Sequence, residues 1–98
     1  MIEERYFGRN HPYAANCYSN MGRVYLDIKD YATALDHFTR AREIFEEVLG
    51  YKHRSTAVAY RNLGDLYKAM HQPEEADKYY QKQQEILKAL VGENATVR

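Results

Sequence analysis

One segment of the sequence occurs twice, at a constant offset of 42 residues. Residues 18–25 read YSNMGRVY and residues 60–67 read YRNLGDLY. The same offset pairs Gly8 with Gly50. A fixed period of this length is typical of repeat proteins, in which one small unit is copied and stacked on its neighbour. The sequence therefore predicts two similar structural units within a single domain.

Apolar residues recur at three- and four-residue steps within each unit, which predicts α-helices and not strands. The first helix is expected to begin at Pro12, because proline fits the first turn of a helix. Asp30 is the predicted N-cap of the second helix, and Gly50 its predicted end. In the second unit, Ser55 is the predicted N-cap of the first helix, and Pro73 begins the second.

These signals divide the chain into two complete helical hairpins and two partial units. Residues 1–8 align with the end of the second helix and are predicted to be the last turns of a preceding helix. The complete units are residues 9–50 and residues 51–92, with Gly92 ending the last helix. Residues 93–98 would open a third unit, and loose order is expected there.

Two glycines at matching positions, Gly22 and Gly64, lie inside predicted helices. Glycine in a helix interior costs about 1 kcal/mol relative to alanine. A close approach of the partner helix at its small residues, Ala34 and Ala76, would explain why glycine is kept at both positions. The sequence therefore predicts tight packing between the two helices of each hairpin.

The pattern aromatic-x-x-(Leu/Met)-Gly-x-x-Tyr, followed by Ala, an aromatic residue and Ala, resembles the tetratricopeptide repeat. The residues that carry it are Tyr18, Met21, Gly22, Tyr25, Ala34, Phe38 and Ala41, and then Tyr60, Leu63, Gly64, Tyr67, Ala76 and Tyr80. The 42-residue form, with His-Pro after a Leu-Gly, is similar to the repeats of kinesin light chain and related scaffold proteins. The resemblance implies an all-α fold of two tandem helix-turn-helix hairpins, a fragment of a right-handed α-solenoid.

The second unit departs from this pattern at its last alanine, where the chain has Gln83. A polar residue on a face that normally meets the next hairpin is typical of a terminal repeat, and simple drift is the alternative.

The overall charge argues against several classes of partner. The 14 Lys and Arg residues balance the 14 Asp and Glu residues, whereas nucleic acids and anionic membrane surfaces attract basic proteins. No apolar run approaches the roughly 20 residues of a membrane helix. The single cysteine, Cys17, excludes an internal disulfide and favours a reducing, cytoplasmic location. It aligns with the small residue Ala59, so burial is expected.

Catalytic and metal-binding chemistry is not indicated. The four histidines are scattered, and none pairs with another at the spacing of metal ligands: His11, His37, His53 and His71. Carboxylates are plentiful, but each falls on a face that is predicted to be solvated. We therefore expect no enzymatic activity, no metal and no cofactor.

A binding surface is predicted on the side of each first helix that lies opposite its core stripe. Stacked hairpins align these sides into one concave wall, the usual binding surface of such arrays. The predicted contacts with a peptide or partner protein are Asn16, Ser19, Asn20, Arg23, Asp27, Arg61, Asn62, Asp65 and Lys68. The resemblance implies that Asn20 and Asn62 hydrogen-bond the backbone of an extended peptide.

The charges of this wall are mixed in sign, so they do not choose between an acidic and a basic peptide. An ordinary solvated helix face is the alternative for each charged residue. A further alternative is an imitation of the carboxylate clamp that some family members use on chaperone C-termini. That clamp draws on three repeats, and two are present.

Self-association is the second predicted function. Two hairpins leave apolar end faces that neighbouring repeats would normally cover. The candidate residues are Ile2, Tyr6, Phe7, Tyr79, Ile86 and Leu90. A head-to-tail contact would extend the solenoid, whereas a two-fold contact would close it into a homo-oligomer. The sequence begins and ends inside a repeat, which favours a fragment of a longer array or an engineered chain.

Overall fold

The computed structural model describes residues 11–97, with side chains described as far as Gly92. This part of the chain contains only helices: α1, Pro12–Asp27; α2, Tyr31–Leu49; α3, Arg54–Ala69; and α4, Pro73–Val97. The helices α1 and α2 form one hairpin, α3 and α4 form the next, and α2 packs against α3. The predicted all-α class is confirmed. None of these described helices is long and apolar enough to span a membrane.

Histidine side chains cap the N-terminus of the first helix of each hairpin. His11 caps α1, where its unprotonated Nδ1 accepts a hydrogen bond from the Tyr13 N–H at 2.9 Å. His53 caps α3 in the same way, accepting from the Ser55 N–H at 3.0 Å. The prediction that Ser55 is the cap is wrong, because the extended backbone at His53 brings its imidazole to that amide and Ser55 already lies in the helix.

Both hairpin turns contain a residue with a left-handed backbone at the same repeat position. Lys29 has a φ of 68° and His71 a φ of 63°. After Lys29, the Asp30 N–H donates to the Tyr25 carbonyl oxygen at 2.8 Å, which closes the turn. The Asp30 side chain then accepts from the Thr33 N–H at 3.3 Å. Its predicted role as the N-cap of α2 is confirmed.

The two glycines predicted to end the second helices behave differently. Gly50 ends α2 with a φ of 89°, a conformation that glycine adopts without a Cβ clash. In contrast, α4 continues through Gly92 to Val97, so the prediction that Gly92 ends the helix is wrong. After Gly50 the chain turns so that α3 can pack on α2. No further hairpin follows Gly92 within the described residues, and nothing there turns the chain away from the helix.

An aromatic ring lies against the backbone at each of the two equivalent repeat glycines. A Cβ on Gly22 would lie 2.5 Å from the nearest ring carbon of Phe38, and one on Gly64 would lie 2.6 Å from that of Tyr80. The second helix of each hairpin therefore does crowd the glycine, but not through the small residues that were predicted. The nearest partner of the glycine is the ring, one turn further along the second helix, and not the predicted alanine, which is Ala34 in the first hairpin.

Apolar side chains of α2 join the two hairpins. Ile44 and Phe45 form one buried cluster with Ala15 of α1 and Ala59 of α3. A second cluster, nearer the hairpin turns, consists of Ala34, Phe38, Leu63 and Leu66. Side chains of α2 belong to both clusters, so α2 joins the two hairpins at two places along its length.

The residues predicted for the exposed end of the second hairpin lie inside it instead. Ile86 is 0% exposed. Tyr79 stacks on Tyr67 with ring centroids 5.5 Å apart, and Leu90 packs partly buried against the Ile86 cluster. Ile86 is therefore not available for contact with another molecule, whereas Tyr79 and Leu90 are only partly buried and their role in self-association stays a prediction. The other candidates for self-association lie outside the described residues: Ile2, Tyr6 and Phe7.

Candidate functional site

A depression lies between the first helices of the two hairpins, where α1 and α3 run side by side. Its volume is about 370 Å³. The end of α2 contributes one aromatic side chain, and all other described lining residues come from α1 and α3. The described lining residues are Asn16, Ser19, Asn20, Arg23, Phe45, Arg54, Ser55, Val58, Arg61 and Asn62. We call this feature the inter-repeat depression.

Most of the residues predicted for the concave wall line this depression. The structure brings together Asn16, Ser19, Asn20, Arg23, Arg61 and Asn62. Three others do not line it: Asp27, Asp65 and Lys68. Sequence reasoning missed Phe45, Arg54 and Ser55. Phe45 lies on a second helix, and Arg54 and Ser55 lie at the start of α3, whereas the prediction considered only the outer sides of first helices.

The two asparagines predicted to act alike lie in different environments. Asn20 is exposed, whereas Asn62 is 4% exposed. The Asn62 Oδ1 accepts a hydrogen bond from Arg23 Nη1 at 3.3 Å. Asn62 lines the depression but is largely covered by α1 of the preceding hairpin, so its amide is less accessible than that of Asn20. The contact of both amides with a peptide backbone stays a prediction. Nothing among the described residues covers α1 at Asn20 in the same way.

The charges of the predicted wall partly cancel one another across the repeats. Arg23 Nη1 lies 2.9 Å from Asp65 Oδ2. The other carboxylate oxygen, Asp65 Oδ1, accepts a hydrogen bond from the Tyr80 hydroxyl at 2.5 Å. Burial, followed by this hydrogen bond to Asp65, raises the pKa of Tyr80 to about 12. Asp65 is thus engaged by its own neighbours.

The inter-repeat depression consequently has one sign of charge. Its described lining includes three arginines and no carboxylate: Arg23, Arg54 and Arg61. The predicted wall, in contrast, had no preferred sign. The difference arises because Asp65 turns towards Arg23 and Tyr80, and Asp27 lies outside the depression.

One polar group in the depression is buried without a partner. The Ser19 Oγ has no hydrogen bond among the described residues. Buried hydroxyl groups are usually hydrogen-bonded, so an unsatisfied one requires an explanation. Ser19 lines the depression, but its hydroxyl oxygen is buried, so it does not present a donor or an acceptor to a bound molecule in this arrangement.

A second depression, of about 510 Å³, lies along α2 beside an aromatic stack. His37 lies between Tyr18 and Tyr25, with ring centroids 5.8 Å and 5.2 Å away, and the Arg40 guanidinium carbon lies 5.9 Å from the Tyr18 ring centroid. The second hairpin has the same arrangement at the equivalent residues Tyr60, Tyr79, Tyr67 and Lys82. Because it recurs in each hairpin, we assign the stack to packing.

The histidine, carboxylate and cysteine side chains give no sign of a metal or catalytic site within the described residues. Within the described residues, no group of three or more His, Cys, Asp or Glu side chains could hold a metal ion. Cys17 is exposed, so the expectation of burial is wrong. Its counterpart Ala59 is buried against α2, and the described chain has no helix on the corresponding side of α1.

Comparison with known protein families identifies the type of repeat. A family model described as Tetratricopeptide repeat matches residues 2–47 and, in an overlapping second match, residues 25–89. Together these matches cover well over half of the chain. No curated protein sequence matches it. The similarity to the longer repeats of kinesin light chain is tested by neither comparison and stays a prediction.

Proposed function

We propose that this chain, which belongs to the tetratricopeptide repeat family, binds an acidic peptide segment of a partner protein in the inter-repeat depression. Members of the family are generally protein-interaction modules. The proposal includes a non-enzymatic role, repeat units at residues 9–50 and 51–92, and a cytoplasmic location.

The observation that carries this proposal is the cluster of arginines in a lining without carboxylates. Arg54 and Arg61 are both exposed, so each has donors directed at solvent or a ligand. A guanidinium binds a carboxylate through two parallel hydrogen bonds, which gives both affinity and orientation. Arg23 is held between Asn62 and Asp65 and is better suited to shaping the depression than to binding on its own.

Neutral groups in the same lining suit the backbone and an apolar side chain of the peptide. Asn16 and Asn20 are exposed on α1, and an amide both donates to and accepts from a peptide main chain. Apolar surface in the lining comes from Val58, which is 40% exposed, and only to a small extent from Phe45, which is 3% exposed. The preferred segment therefore carries at least one carboxylate beside an apolar residue.

The affinity is expected to be weak. The depression is small and open, and association must offset the loss of translational and rotational freedom. We expect dissociation constants on the order of tens of micromolar or weaker. Because arginine–carboxylate attraction is screened by ions, binding should weaken as salt is added.

The test is an NMR titration with two matched peptides, one containing Glu-Leu-Glu in a Ser/Gly background and one containing Lys-Leu-Lys. The acidic peptide should shift the side-chain amide signals of Asn16 and Asn20, and the basic peptide should not. Double substitution Arg54→Ala with Arg61→Ala should weaken acidic binding about tenfold or more, since hydrogen bonds to charged groups contribute about 1.5–3 kcal/mol each.

Lys68→Ala is the matched control, because Lys68 is exposed on α3 but does not line the depression. The affinity of the Lys68→Ala variant for the acidic peptide should stay within about twofold of that of the unmodified chain. Equal binding of both peptides, or an unchanged affinity in the double arginine variant, would show that the depression is not an acidic-peptide site.

A further inference from the structure

A hydrogen-bonded row of four side chains leads from α4 to the inter-repeat depression. The Tyr80 hydroxyl donates to Asp65 Oδ1 at 2.5 Å, and Asp65 Oδ2 lies 2.9 Å from Arg23 Nη1. The same Arg23 nitrogen donates to Asn62 Oδ1 at 3.3 Å. Arg23 and Asn62 line the depression, whereas Tyr80 and Asp65 do not. A residue outside the depression is therefore linked to two residues that line it.

The hydroxyl group of Tyr80 is not required for packing between the helices. In the first hairpin, Phe38 occupies the same repeat position and lies against Gly22 as closely as Tyr80 lies against Gly64. A ring without a hydroxyl therefore fills this position. In the second hairpin, the hydroxyl has a carboxylate beside it, that of Asp65. The function of the hydroxyl is consequently connected with that carboxylate and not with the core.

Asp65 has a second arginine within reach on its own helix. Arg61 precedes Asp65 by four residues on α3, and side chains at that spacing are neighbours on a helix surface. Burial raises the pKa of Tyr80 and the positive charge of Arg61 opposes the rise, because that guanidinium lies near the hydroxyl. Even so, Arg61 forms no ion pair among the described residues, and Asp65 pairs with Arg23 instead. Exposed ion pairs are individually weak, so one additional hydrogen bond can decide between the two arginines.

We propose that Tyr80 is a positioning residue of the inter-repeat depression, because its hydroxyl holds Asp65 away from Arg61. This inference rests on the proposed function and names a residue that sets the affinity of the same site. With Asp65 held, Arg61 keeps its donors for the carboxylate of a peptide, and Arg23 stays fixed against Asn62. Donors that are already in place lose less conformational freedom when a ligand binds.

Without the hydroxyl, Asp65 becomes a competitor of the ligand. A carboxylate four residues from Arg61 on the same helix acts at an effective concentration on the order of millimolar or higher. Even partial pairing of Asp65 with Arg61 then lowers the affinity for an acidic peptide, whose own carboxylate must displace it. The loss should correspond to about one net hydrogen bond, which is about threefold to tenfold in affinity.

The test is the NMR titration with the Glu-Leu-Glu peptide, applied to two tyrosine variants. Tyr80→Phe should weaken binding by about threefold to tenfold. Tyr60→Phe is the matched control, because the Tyr60 hydroxyl also donates to a carboxylate, that of Glu46, and neither residue lines the depression. Tyr60→Phe should leave the affinity unchanged. Equal weakening by both variants, or no weakening by Tyr80→Phe, would overturn the proposal.

Removal of the carboxylate separates positioning from a general loosening of the fold. In the Asp65→Asn background, the effect of Tyr80→Phe on affinity should disappear, because no carboxylate remains to compete for Arg61. A loosened fold would weaken binding in both backgrounds, and that result would contradict the proposal. Circular dichroism confirms that the variants are folded, as Phe38 at the equivalent position leads us to expect.

A second measurement needs no peptide. In the free chain, the side-chain Nε–H signal of Arg61 should shift in Tyr80→Phe, and it should return when Asp65→Asn is added. An unmoved signal would overturn the positioning role of Tyr80, whether or not the peptide binds. If the signal moves but the unmodified chain does not bind the acidic peptide, the control of Arg61 by Tyr80 is supported and the proposed function fails. The two proposals can thus be refuted separately.

Discussion

Replacing Gly22 with alanine should destabilise the protein, although the same change stabilises most helices. At Gly22 the added Cβ would lie 2.5 Å and 2.6 Å from two ring carbons of Phe38. Phe38 is only 1% exposed and belongs to the cluster with Leu63 and Leu66 that joins the hairpins. Its ring cannot move aside without disturbing that cluster, so the clash must be relieved by separating α1 from α2.

The expected loss follows from two opposing effects. Alanine gains about 1 kcal/mol over glycine in a helix interior. Overpacking a core typically costs about 1–3 kcal/mol, and contacts this short belong at the upper end of that range or beyond it. The free energy of unfolding should therefore fall by about 2 kcal/mol. Urea unfolding followed by circular dichroism measures it, at a low protein concentration at which association does not contribute.

Two comparisons isolate the clash. A Cβ on Gly92 would meet nothing within 4 Å, so Gly92→Ala should stabilise the protein by up to about 1 kcal/mol. Combining Gly22→Ala with Phe38→Leu should cost less than the sum of the single changes, because the smaller side chain relieves the contact. A Gly22→Ala variant as stable as the unmodified protein, or strict additivity in the double variant, would refute this explanation of the repeat glycine.

Two further predictions concern tyrosine ionisation and helix capping. Burial, followed by a hydrogen bond to a carboxylate, raises the pKa of both Tyr60 and Tyr80 to about 12. The unfolded chain, with a tyrosine pKa of about 10, loses these protons first, so stability should hold below pH 10 and fall between pH 10 and pH 12. Urea midpoints measured against pH should fall less steeply in Tyr60→Phe and Tyr80→Phe; an unchanged slope would contradict the assignment. His53→Ala should lower stability by about 1 kcal/mol, while His53→Ser should restore most of the loss. His11→Ala should have a smaller effect because its hydrogen bond is exposed, and equal losses at both caps would argue against that reasoning.

The hairpins can be predicted from the sequence because their signals are local. Pro12 and Pro73 fix helix starts, Asp30 caps a helix within three residues, and Gly50 supplies a left-handed backbone. The N-cap of α3, His53, could also have been predicted from the repeat. His53 stands at the repeat position of His11, and a side chain retained there was a signal for a shared role.

The candidate site can be predicted only in part, because a repeat position determines where a residue points and not what lies beside it. Asn20 and Asn62 share a position, but a preceding hairpin covers only the second. Cys17 and Ala59 differ in exposure for the same reason. The sign of the charge in the depression depends on which residues Asp65 contacts. That contact is set by tertiary packing and is not encoded in the periodicity of the sequence.

The differences between the two units therefore determine the chemistry of the site. Equivalent residues of adjacent repeats lie side by side, so exact repetition would place like charges together. At one such position the first unit has Arg23 and the second has Asp65, and their side chains pair at 2.9 Å. The pair is partly exposed, with 45% and 32% of the side chains accessible, so its stabilising contribution is only about 0.2–1 kcal/mol.

In the proposed binding site, this pair also affects the charge of the inter-repeat depression. The second unit also replaces Phe38 with Tyr80, whose hydroxyl donates to Asp65. Two linked changes thus place a carboxylate between hairpins and hold it there. Because that carboxylate is engaged by Arg23 and Tyr80, it does not neutralise Arg61, which faces the depression. A third unit that kept this alternation would present a further basic group beside Asp65, and a uniform repeat would not.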